Sequence, residues 1–239
     1  MKNVLDNAQR AKTAITCFYI LLGCYALMLV SNVMEYMLLS KGSFGIAEAN
    51  SNDQRQLLIT LLSMIAQIVV IVVFIQWFRR AYHNLHKAGV KNLNMTEGWA
   101  AGAWFVPIMS LFKPFQIMKD IWIETKKYVS RKSSTLHEET DQNSSTDLST
   151  VGWWWGTWIA SSISANISAQ IARRAFTVEQ FMNSNMLALF SDITGIVCIF
   201  LVIKMIKESQ QDQNKFLEAW KAGEDESTFE ISSSDDILD

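Results

Sequence analysis

The chain has 239 residues, of which 50% are hydrophobic and only 18% charged, and its net charge is −2. That balance gives no electrostatic footprint for a nucleic acid. The apolar residues fall in blocks, which excludes an ordinary soluble domain and points to an all-α integral membrane protein.

Residues 1–13 are polar and carry Lys2, Arg10 and Lys12. A first span is expected over about 14–39. Its basic lead-in resembles a secretory signal, but the block is too long, ends in Asn32 and Glu35, and has no A-x-A-like cleavage site, so it reads as a retained signal-anchor. A Gly/Ser/Asn-rich loop over 41–55 precedes a second span over about 56–78, which closes on the interfacial pair Trp77 and Phe78. The helix is expected to continue through RRAYHNLHKAG and to stop at Gly89, with Thr96 as the N-cap of the next element.

The chain is organised around residues 96–128. The uncharged core from Trp99 to Phe112 would rise only about 21 Å as a helix, short of a hydrocarbon slab of about 30 Å, so it reads as re-entrant or interfacial. Both prolines lie here. Pro107 should break a helix begun at Trp99 near Val106, and Pro114 suits the first turn of a new one. From there Phe115, Met118, Ile121, Trp122 and Thr125 share a face, the pattern of an amphipathic helix lying in the interface.

The order RAYHNLHKAG, then EGWAAGAWFVPIMSLFKPFQIMKDIW, resembles the bacterial membrane family catalogued as domain of unknown function 4328. The matching positions are Arg80, Ala81, Asn84, Leu85, Gly89, Gly98, Trp99, Trp104, Pro107, Pro114, Met118 and Trp122. Glu97 stands where that family often has proline. The resemblance implies an architecture of membrane spans and no particular chemistry.

Residues 130–150 are polar and read as a disordered linker. A third span is expected over about 151–172, opening on an aromatic belt of Trp153, Trp154, Trp155 and Trp158. Gly152, Gly156, Ala160, Ser164, Ser168 and Ala172 recur every four residues and are expected to form a close-packing helix face. A loop over 173–185 leads to a fourth span over about 186–207. A helical extension should then end at Gly223, before an acidic, disordered tail over 224–239. The expected organisation is therefore residues 1–129 with two spans and the re-entrant segment, the linker, residues 151–223 with two more spans, and the tail. The three cysteines, Cys17, Cys24 and Cys198, lie inside apolar segments without ligand spacing and read as reduced packing residues.

With four spans and a re-entrant middle, seventeen of the 21 basic residues fall on the side of the N-terminus, leaving only Lys41, Arg55, Arg173 and Arg174 opposite. If Trp99 to Phe112 crossed, that excess would vanish. The positive-inside rule thus selects four spans, with both termini cytoplasmic in a bacterial inner membrane.

His83 and His86 share a helix face, but no nearby Cys or carboxylate completes a metal set, and Arg79, Arg80 and Lys87 would repel a cation. The same cations, with His83 and Asn84, are candidates for lipid headgroup or partner contact. Glu35 and Asp192 are expected near the water-accessible outer ends of spans, while Gln67 and Asn166 are expected to bond between helices. Without a catalytic motif or a cofactor signature, the expected role is non-catalytic: an interaction module for a protein partner or a second copy of itself. The alternative is a binder or mover of a lipophilic molecule, with the broken helix lining its cavity.

Overall fold

A computed structural model describes residues 4–91, 93–134 and 148–235. All its regular elements are helical: α1 (Ala8–Ser40), α2 (Ile46–Lys87), α3 (Trp99–Gly102), a 3₁₀ turn (Met109–Leu111), α4 (Lys113–Ser134), α5 (Ser149–Arg174) and α6 (Val178–Asp235). Most of the expected linker, residues 135–147, lies outside the described residues.

Local signals account for the ends. Gly89, at φ +76°, closes α2 with two backbone bonds, Gly89 N to His86 O (3.2 Å) and Val90 N to Leu85 O (3.2 Å), which together form a Schellman motif. α2 starts ten residues before the span expected from hydropathy, inside the stretch read as a loop. Glu48 explains this: from the third helical position its carboxylate reaches back to the Gly45 amide at 3.0 Å. α6 also starts early. Thr177 Oγ1 accepts from Gln180 N, and Gln180 Oε1 accepts from Phe176 N and Thr177 N, a complete capping box. At its other end α6 runs through Gly223 to Asp235, past the cap and into the acidic tail read from the sequence.

Among the described residues, three helices, α1, α2 and α6, are long and apolar enough to cross a membrane. α5 has the length, 26 residues, but its many Ser and Ala residues keep it outside that group.

Two compact units are made from alternating stretches of chain. One comprises residues 13–74 and 149–205, the other residues 1–12, 75–148 and 206–239. The first has its polarity inverted relative to a soluble protein. Ile20, Leu27, Val30, Leu58, Ile65 and Phe200 are exposed, whereas Ser31, Asn32, Ser161, Ser168, Ser191 and Asp192 are buried. Water would not tolerate that arrangement, but a hydrocarbon solvent favours it, because polar groups there must satisfy one another. The second unit has ordinary polarity. Its core is Trp77, Phe78, Tyr82, Leu85, Ile117, Met118, Ile121, Ile206 and Phe216.

The packing of α5 differs from the expected small-residue face. Its buried residues are Thr150, Val151, Trp154, Ser161, Ser164 and Ser168, while Gly152 and Gly156 are exposed and Ala160 is half-buried. A four-residue repeat advances about 40° per step around a helix of 3.6 residues per turn, so it cannot stay on one side. The helix pairs that form use serine: Ser168 Oγ donates to Ser184 O (2.8 Å) and Ser184 Oγ to Ser168 O (3.0 Å), with Ser161 and Ser191 exchanging the same two bonds at 3.1 Å each.

Candidate functional site

The family-like motif folds within the second unit, around a buried carboxylate. Asp120, on α4, is 6% exposed and accepts from Asn94 N (3.0 Å) and Asn94 Nδ2 (2.6 Å). Tyr82, near the end of α2, points its hydroxyl at the same loop: it donates to Met95 O (2.9 Å), accepts from Met95 N (3.0 Å), and lies 3.4 Å from Asp120 Oδ2. Burial raises the Asp120 pKa above the usual carboxylate range, against the opposing pull of the Asn94 bonds. Burial likewise pushes Tyr82 up to about 12. The loop after Gly89 is thus tied to α2 and α4 and delivers Trp99 to the start of α3.

α3 starts from Gly98 without a side-chain cap, so Thr96 does not have the capping role expected of it. It also ends at Gly102, four residues before Val106. In a continuing helix the Pro107 ring would strike the Ala103 carbonyl, so the break falls one turn ahead of the proline. Pro114 occupies the second position of α4, where its missing N–H costs nothing. α4 itself does not lie on a surface by its apolar face. Ile117, Met118, Ile121 and Trp122 are buried in protein, and Asp120 and Glu124 with them. The exposed apolar side chains belong to the irregular segment before it: Phe105 is 74% and Ile108 72% exposed, with Val106, Leu111 and Phe112 beside them. Trp104 stays back against Phe78, ring edge to face at 5.8 Å.

The residues expected at a headgroup or partner contact divide. Arg79, Arg80 and His83 line a cavity of about 250 Å³, together with Leu5, Arg10 and Glu97. His83 Nδ1 lies 2.8 Å from Glu97 Oε1, and that bond holds the Glu97 pKa below its ordinary value. His86 turns elsewhere, its ring edge-on to Tyr82 at 4.9 Å, so the two histidines do not converge. Asn84 is buried and clamps the backbone of Leu5 instead of meeting a ligand. Lys87 does not line the cavity.

Sequence reasoning missed a second polar site, in the unit of inverted polarity. Gln56 Nε2 donates to Glu35 Oε2 (2.8 Å) and Asn32 Oδ1 (3.1 Å). Asn32 Nδ2 donates to Asp192 Oδ2 (2.7 Å), and Asn185 Nδ2 to Glu35 Oε2 (2.9 Å). Asp192, expected within reach of water, is only 3% exposed. Asn32, Gln56, Thr60, Ser168, Ser191 and Asp192 border a cavity of about 290 Å³. The usable signal was the spacing of Asn32 and Glu35 on one helix face. By contrast, Asn166 is exposed and, among the described residues, bonds only to Ser162 O of its own helix.

The family model of a domain of unknown function, DUF4328, matches residues 42–211 of this chain. No curated protein and no solved structure matches it.

Proposed function

The chain belongs to the DUF4328 family, a domain of unknown function, and from that premise we propose that it is a non-catalytic, four-span interaction module of a bacterial inner membrane. In this reading α5 is the third span, residues 99–112 form a re-entrant segment, and both termini are cytoplasmic. Its partner is a membrane helix of another protein or of a second copy of this chain. The observation that carries the reading is the uncovered face of α5. Gly152 and Gly156 form a small-xxx-small step with nothing within 4 Å of an added Cβ, and Trp153 beside them is 68% exposed. Such a face lets a second helix approach closely in lipid.

The test is purification of the whole chain in a mild detergent, followed by native mass spectrometry. A dimer or a stoichiometric protein partner, lost in Gly156→Leu, supports the reading. A monomer that retains a small molecule supports a second reading, binding of a small ligand in the membrane. The polar cavity at Asn32, Gln56 and Asp192 favours that alternative, since buried polar groups of spans mark ligand paths. In it, the spans and not the broken helix line the cavity.

A further inference from the structure

We propose that the cavity framed by Arg10, Arg79, Arg80 and His83 binds a phosphate-type oxyanion. Three guanidiniums from two helices face one space of about 250 Å³. Arg79 and His83 are one turn apart on α2, and Arg80 lies beside them. Among the described residues, none of the three arginines has a carboxylate within ion-pair distance. Arg10 spends one N–H on Gln76 O at 3.0 Å, leaving further donors of its fork unspent.

The wall holds one acid, Glu97, and His83 engages it. Leaving His83 aside, three arginines and one glutamate leave two positive charges around the space. That charge is crowded: partial burial, then Arg10, then Arg79 lower the Arg80 pKa, although the guanidinium remains charged. An anion with several acceptor oxygens relieves the repulsion and takes the donors bidentately, which is the recognition mode of guanidinium groups. A site for a drug-sized molecule occupies roughly 300–1,000 Å³, so this cavity suits a headgroup or a free ion. It is also built in advance. Asn84 fixes Leu5 on one side, and Asn7, just before α1, is fixed by bonds to Trp77 O (3.0 Å) and Gln213 Oε1 (2.9 Å).

The phosphate group has two possible sources, a lipid headgroup or a soluble ion, and the experiment separates them. The full chain is melted in detergent with and without inorganic phosphate, with chloride at matched ionic strength as the control. It is also melted in phosphatidylcholine nanodiscs with and without phosphatidylglycerol. Stabilisation is expected in at least one arm. Arg80→Gln and Arg10→Gln should each weaken the apparent affinity about fivefold. Glu97→Gln keeps all three cations and should tighten binding severalfold, which provides a check even if an arginine variant does not fold. A shift with phosphate alone identifies the soluble ion, and a shift with phosphatidylglycerol alone identifies the headgroup. No shift in either arm, equal shifts in wild type and the arginine variants, or unchanged or weaker binding in Glu97→Gln overturns the proposal.

Discussion

Asn84 treats the Leu5 backbone as a strand partner would. Its Oδ1 accepts from Leu5 N at 3.1 Å, and its Nδ2 donates to Leu5 O at 2.8 Å, across 79 residues of sequence. At neutral pH, where an exposed carboxyl is ionised and can only accept, a side-chain amide supplies both functions at this spacing. Asn84→Ala should therefore cost about 1–3 kcal/mol, because it strands two partly buried backbone groups. Asn84→Asp should cost a similar amount, since a carboxylate facing Leu5 O can no longer donate. Thermal unfolding in detergent checks both variants, with exposed Asn166→Ala expected to stay within about 0.5 kcal/mol of wild type.

That clamp also shows where sequence reading stops. The RAYHNLHKAG element marked Asn84 as special, but a clamp and a ligand contact look alike when the partner lies so far away in sequence. The stop at Gly89 was legible because a left-handed residue after a helix favours glycine. The capping box from Thr177 to Gln180 is legible too, but hydropathy blocks drew attention past it. The amphipathic stripe of α4 misled for a different reason. Periodicity reveals that an apolar face exists and is silent on whether lipid or protein covers it, and here Trp77, Phe78 and Phe216 share the core with Ile117 and Ile121.

Asp120 should make stability depend on pH. Its folded pKa is raised, so the folded state holds its proton more tightly than the unfolded chain does. Stability from this group is then fully present below the ordinary Asp value of about 3.9 and is lost as pH rises through the higher folded value. Urea unfolding at acid and neutral pH should show wild type losing stability relative to Asp120→Asn over that window. Parallel pH profiles for the two proteins would contradict the assignment.

On α5, bulk should matter at the serines and not at the glycines. Ser168→Leu drives a larger side chain into the pair with Ser184 and should cost about 1–3 kcal/mol in detergent. Gly156→Leu meets open space and should leave the melting temperature of the monomer unchanged or slightly raised, since glycine is the poorer helix former. Equal losses at both positions would mean that α5 packs through the four-residue repeat after all.

Topology is testable by cysteine labelling in a cysteine-free background. The proposed four spans place Ser43 and Asn183 outside, where an impermeant thiol reagent reaches them on intact cells. A cysteine at Ser134 or Ser234 should stay protected until lysis. Labelling at Ser134 without lysis would show that residues 99–112 cross the membrane instead of returning.

The unit with the buried aromatic core draws on three separate lengths of chain, one running into the start of α1, one from the end of α2 through α4 and one from the later part of α6. Asn7 waits for Trp77 and then for Gln213, which is 206 residues away. During synthesis, that final amide emerges only after every apolar helix has been made. A ribosome that stops early therefore leaves Asn7 without Gln213 and the aromatic cluster without Ile206 and Phe216. Closing this unit is thus a late event that needs the last part of α6.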